Sequence, residues 1–202
     1  MRNNYECIDP DYTYTDPKTG VLRNLVNIDR SDELLFFESA AVAKRLKELE
    51  AKPITIHNAE TLLDIHRYLF QDVYEWAGQN RTVEISMQGK PFFITAYFDK
   101  GFAYIDTLIT EYRKVVPTDK AKLSVHLANL LDSINYLHPF REGNGRTQRE
   151  FLRTLALEKV YTLNLNPPDN ADVYERYMSG TIEGDVDKLA GLIEELLERI
   201  NE

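Results

Sequence analysis

The 202-residue chain sets 24 Lys and Arg against 33 Asp and Glu, a net charge of −9, with 43% hydrophobic residues and one cysteine, Cys7. That is enough chain for one domain with its own core; it excludes an intrachain disulfide, suits a reducing, cytoplasmic setting, and offers no broad basic surface for nucleic acid, so no direct nucleic-acid contact is expected. No stretch approaches the ~20 consecutive apolar residues of a membrane span, and the opening MRNNYECIDP lacks the apolar region of a signal peptide, so no membrane partner is expected either.

Residues 1–30, rich in Tyr, Asp and Asn with DPKTG at 16–20, read as an irregular arm with one turn. Residues 31–202 read as a domain in which helical patterns dominate. Leu35, Ser39, Val42, Leu46 and Leu49 fall at helical spacing behind a cap at Ser31 or Asp32. A second helix starts near Asn58, with Leu62, Ile65 and Leu69 on one face, and Phe102, Ile105, Leu108, Ile109 and Tyr112 mark a third. Between them, 81–95 alternates: Val83, Ile85 and Met87 against Thr82, Glu84 and Ser86, then a turn at Gln88-Gly89-Lys90 and a β-prone run at Phe92, Phe93 and Ile94. This predicts a β-hairpin leaning on the helices.

Thr118 or Asp119 caps a fourth helix with the stripe Leu123, Leu127, Leu130, Leu131 and Ile134. A fifth follows Gly145 and buries Phe151, Leu152, Leu155 and Ala156. Beyond Pro167 and Pro168, a short helix is expected over 171–179, then a last one from about Asp185 with Leu189, Leu192, Ile193, Leu196, Leu197 and Ile200 inward. The expected fold class is all-α, a helical bundle with one β-hairpin flap.

The chemistry concentrates in 138–149, HPFREGNGRTQR. Pro139 ends the fourth helix at His138. Gly143-Asn144-Gly145 is a sterically open loop before a helix whose first N–H groups and dipole favour an anion. Arg146 and Arg149, at i and i+3, share a face and suit a polyphosphate. Glu142 supplies the hard oxygen that Mg²⁺ takes alongside phosphates and water. His138, with a pKa near neutrality at the rim, suits the removal of a proton from a hydroxyl. Each residue alone is an ordinary turn or surface residue; at this compact spacing they assemble the parts of phosphate-group transfer.

The segment resembles the complete Fic signature, His-x-Phe-x-Asp/Glu-Gly-Asn-Gly-Arg-x-x-Arg, without departure. IHRYLFQDVYEWAGQNRTVEIS at 65–86 is similar to the segment entering the flap of Fic proteins, and DPKTGVLRN at 16–24 to the start of bacterial Fic toxins of the cell-filamentation kind. The resemblance makes 31–202 a Fic domain with C-terminal helices and implies AMP transfer from Mg-ATP to a Ser, Thr or Tyr hydroxyl of a target protein. It implies His138 as base, Phe140 as loop anchor, Glu142 as Mg²⁺ ligand, and Gly143, Asn144 and Gly145 as the phosphate nest, with Asn144 near the α-phosphate. Arg146 and Arg149 would meet the β- and γ-phosphates. Glu84, Ile85, Ser86 and Met87 of the flap would pair with an extended target segment. Doc-type members, which act as kinases, replace both glycines of the loop; here both stand. A transferase using another nucleotide, and a non-catalytic helical interaction module, remain as alternatives.

Control is the last expectation. Fic proteins commonly carry a helix bearing Ser/Thr-x-x-x-Glu-Gly/Asn whose Glu pairs with the last Arg of the signature. Ser179 and Glu183 in SGTIEG match nominally, but Gly180 and Gly184 each oppose helix by ~1 kcal/mol. The expected brake is therefore external: a small antitoxin protein placing a Glu beside Arg149. The toxin-type resemblance implies type II topoisomerase as a target.

Overall fold

The computed structural model describes residues 5–7 and 9–200. Seven helices are present among them: α1 (Ser31–Ala51), α2 (Thr61–Phe70), α3 (Phe98–Lys114), α4 (Lys120–Leu137), α5 (Asn144–Glu158), α6 (Ala171–Glu183) and α7 (Val186–Leu196). Five short strands accompany them: β1 (Tyr5–Cys7), β2 (Ile85–Met87), β3 (Lys90–Pro91), β4 (Tyr161–Thr162) and β5 (Glu198–Arg199). The fold is thus predominantly helical, with small antiparallel sheets ordered β1-β2-β3 and β4-β5.

Helix α4 is the axis of the bundle. Asp119 caps it by accepting from the Lys122 N–H. Its stripe of Leu123, Leu127, Leu130, Leu131 and Ile134 is wholly buried, and the helix packs against α3, α5 and α7. Each such side chain contributes about 1.5–3 kcal/mol of burial. With α4 fixed on three sides, its C-terminus delivers His138 to a defined place, and α5 begins six residues later at Asn144.

The structure departs from the sequence expectations at several points. Helix α1 buries Leu34 and Glu38 rather than Leu35 and Ser39, leaving Leu35 47% exposed. Its N-cap is Arg30, with no side-chain cap bond. Helix α6 does not stop at 179 but continues through Gly180 to Glu183. A Cβ at Gly180 would run into Leu189 of α7, so the glycine permits a close helix crossing that offsets its poor propensity. Gly184, at φ +69°, then closes α6 and Asp185 caps α7. Helix α7 ends at Leu196, because the chain turns extended to pair β5 with β4; Ile200 is exposed rather than part of the apolar face.

The largest departure is the arm. Strand β1 pairs antiparallel with β2, Tyr5 opposite Met87 and Cys7 opposite Ile85. Gln88 and Gly89, both at positive φ, make the tight turn to β3. Tyr14, Val83, Ile85 and Phe92 form a small satellite core, and Val21 reaches the main one. The hairpin therefore leans on the arm as well as on the helices. β2 is the central strand of three, so the free edge expected along Glu84–Met87 is filled by the chain itself.

Candidate functional site

His138 follows the last residue of α4 in the left-handed region, at φ +45°. This is an uncommon place for a residue with a Cβ, and it turns the chain sharply into the loop. The imidazole is only 3% exposed and is stacked on Phe92 of the flap at 3.8 Å between ring centroids. Its Nδ1 lies 3.0 Å from the Asn135 carbonyl. A carbonyl only accepts, so Nδ1 carries the proton and Nε2 holds the basic lone pair. The expected near-neutral pKa is not what burial produces: desolvation first, then Arg81, push it down to about 3, against the Asn135 carbonyl. The ring is neutral at physiological pH, which is the form a base needs.

The loop from His138 to Gly143 is clasped from inside. Phe140 is buried against His66, their rings 3.8 Å apart. Asn144 accepts from the Phe140 N–H at 2.9 Å and donates to the Phe140 carbonyl at 2.7 Å. This buried amide holds the loop closed. His66 accepts from the Gly78 N–H on Nδ1, so its Nε2–H donates to the Glu142 carbonyl at 3.0 Å. Gly143 sits at φ +85°, and a Cβ there would collide with the Phe70 ring.

A cleft of about 470 Å³ runs along the start of α5, lined by His138, Glu142, Gly143, Gly145, Arg146 and Arg149 among others. First-turn N–H groups have no partner within a helix, so this is the cationic end of α5. The Glu142 carboxyl pKa is raised by desolvation first and by Glu38, against Arg146. Arg146 donates to Glu38 at 2.6 Å and lies over the Phe70 ring at 4.7 Å. Arg149 lies over Tyr174 and Tyr177 of α6, 5.7 and 5.4 Å from their centroids. Ser179 and Glu183 do not line the cleft: Ser179 is half-buried and Glu183 exposed, Ser179 donating to Glu183, whose other oxygen takes Lys188 at 2.5 Å. Of the flap residues, Met87 lines the cleft, Ile85 is buried in the satellite core, and Ser86 bonds Glu6 of the arm. Glu84 accepts from Thr95 and Arg81.

The family model described as Fic/DOC family matches residues 55–156, a span that includes the whole of this loop and cleft. The chain belongs to the Fic/DOC family. It is 35% identical over 151 residues to the "Probable protein adenylyltransferase Fic" of Escherichia coli K12, covering 75% of either chain. It is 36% identical over 152 residues to the protein adenylyltransferase VbhT of Bartonella schoenbuchensis, where the match covers 75% of this chain but 32% of that longer protein. The Fic fold is the same as that of an ADP-bound N-terminal Fic domain from Bartonella quintana, with a TM-score of 0.82, 20% identity, and coverage of 94% and 96%.

Within this Fic domain, three contributors escape the signature. Arg81, its side chain wholly buried, donates to the carbonyls of His138 at 2.9 Å, Val83 at 2.6 Å and Phe93 at 2.6 Å. It ties the flap to His138. Glu38 of α1 reaches Arg146 across the cleft wall, and its signal was present as a carboxylate four residues from Leu34 and four from Val42 on a buried face. Arg141 stands beside the Cys7 thiol, whose pKa is raised by burial and drawn down by that guanidinium; no sequence pattern announces that contact.

Proposed function

We propose that this Fic-family chain is a protein adenylyltransferase that moves AMP from Mg-ATP to a Ser, Thr or Tyr hydroxyl of another protein. The observation that carries the reading is the pairing of a neutral His138, its tautomer set by the Asn135 carbonyl, with an arginine-lined cleft at the start of α5. The triphosphate lies along that helix end, toward Arg146 and Arg149. His138 Nε2 takes the hydroxyl proton, the oxygen bonds to the α-phosphorus, and the bond to pyrophosphate breaks. The adenylyltransferase names of the relatives and the ADP in the Bartonella quintana structure support a nucleotide in this cleft.

Among the described residues no group of three or more His, Cys, Asp or Glu is placed to hold a metal alone. Glu142 at the cleft wall fits the other mode, one carboxylate sharing Mg²⁺ with phosphates, and the ion would neutralise developing phosphate charge. The target segment is read as an added strand on β2, and since β3 and β1 flank β2, it takes the place of β1. The toxin-like resemblance points to a type II topoisomerase as target, in the cytoplasm. No helix among the described residues is long and apolar enough to cross a membrane. It also points to a small antitoxin whose Glu meets Arg149, a guanidinium that contacts aromatic rings and, among the described residues, no carboxylate.

The test is incubation of the purified chain and bacterial lysate with ATP labelled at the α- or the γ-phosphate, and with α-labelled UTP. Protein labelling from α-labelled ATP alone is expected. Labelling from the γ-position would make the enzyme a kinase, labelling from UTP would change the nucleotide, and none at all would favour the non-catalytic reading.

A further inference from the structure

Glu38 is only 4% exposed, a burial that a carboxylate tolerates only with strong partners. Helix α1 places it on the face it shares with Leu34 and Val42, so the bundle core itself fixes its position. One carboxylate oxygen accepts from Arg146 Nη2 at 2.6 Å, and the other accepts from the buried Tyr74 hydroxyl. The guanidinium is held from two further directions, by the Phe70 ring at 4.7 Å and by Glu142 Oε1 at 3.6 Å. Arg149 contrasts with it, resting on the rings of Tyr174 and Tyr177 with no carboxylate partner among the described residues.

We propose that Glu38 is a positioning residue for nucleotide binding: it anchors one edge of the Arg146 guanidinium so that the remaining N–H groups face the phosphates before the nucleotide arrives. Five donors leave Arg146 enough capacity for both partners. A guanidinium already fixed loses less freedom on binding, which raises affinity without any direct contact from Glu38. The chain Tyr74–Glu38–Arg146 also joins α1, outside the 55–156 family match, to the cleft. The inference rests on the reading that Arg146 binds phosphate, and the experiment separates the two.

The experiment is calorimetric titration of the full chain with Mg-ADP, for Glu38→Ala, Glu38→Gln, Arg146→Ala and the Glu38→Ala/Arg146→Ala double variant, with thermal melts of each. Glu38→Ala is expected to weaken ADP about tenfold, the scale of one charge-assisted hydrogen bond. Glu38→Gln keeps an acceptor for Arg146 but loses the charge, and is expected to lose about threefold to fivefold; if the alanine variant does not fold, the same cycle is run with glutamine. In the Arg146→Ala background, removing Glu38 is expected to change nothing further. A lowered melting temperature with ADP affinity kept within about twofold would make Glu38 merely structural and overturn the proposal. An equal loss with and without Arg146 would overturn it as well, because Glu38 would then act by another route. If Arg146→Ala itself binds ADP normally, the phosphate reading of Arg146 fails, and this inference with it.

Discussion

The loop at 138–149 and the sheet β1-β2-β3 meet at His138 from opposite sides, and they are held by different means. The loop is closed by neighbours a few residues apart, Asn144 clasping Phe140, and is backed by the buried His66 and Phe70. The sheet has two strands of three residues and one of two, and the Ser86–Glu6 bond spans 80 positions of chain. Its satellite core is four buried side chains. A cradle clasped by its own amide and backed by the main core is the rigid part, whereas a sheet resting on a small satellite core is the part that opens at low free energy. The two are joined through Arg81 and through the Phe92–His138 stack.

The sharpest way to break this division is at the base itself. His138→Ala is expected to lower AMP transfer by ~10²–10⁴-fold, while ADP affinity, set by the cradle, stays within about twofold. Transfer at the parental rate would remove His138 from the mechanism. Arg81→Met comes next. It leaves three carbonyls without their donor and is expected to cost about 3 kcal/mol, or roughly 6–12 °C in melting temperature. In the folded variant, transfer should drop while ADP affinity holds, read by radiolabel and calorimetry together. If both survive, the flap and the base are not coupled through this side chain.

Deleting residues 1–7 tests the other half of the comparison. It uncovers the edge of β2 and is expected to raise kcat/KM for a protein target several-fold, with ADP affinity unchanged and a melting temperature lower by only about 2–4 °C. An unchanged kcat/KM would show that targets do not use that edge. The smallest effect is expected from Glu183→Gly. Glu183 is exposed and bonds Ser179 and Lys188 rather than Arg149, so self-modification by the purified chain should stay as it was. A large gain would place the brake inside this chain and sink the antitoxin reading.

How much of this was legible follows the same division. The α4 stripe, the Asp119 cap and the 138–149 loop are local patterns, and each stands where the spacing put it. Asn144 was legible in position, but its clasp on Phe140 was not, because the partners of a buried amide depend on the fold around it. The one-residue rotation of α1 was hidden because the carboxylate that shares the buried face, Glu38, finds its partner Arg146 108 positions further on. Gly180 was misjudged because its helix propensity is local, while the Leu189 side chain that requires its smallness is not. The pairing of β1 was invisible, since Tyr-Glu-Cys alternates for three residues only, too short a run by which to recognise a strand.

That pairing has a kinetic side. A strand on the same chain as its receptor competes at an effective concentration that short flexible tethers bring into the millimolar range. A free peptide of equal strand-forming strength, present at micromolar levels, would seldom win the edge of β2. If targets are read on the edge of β2, those that win it must add contacts elsewhere on the surface, and the arm would then filter substrates by the size of their whole interface rather than by the sequence around the modified hydroxyl.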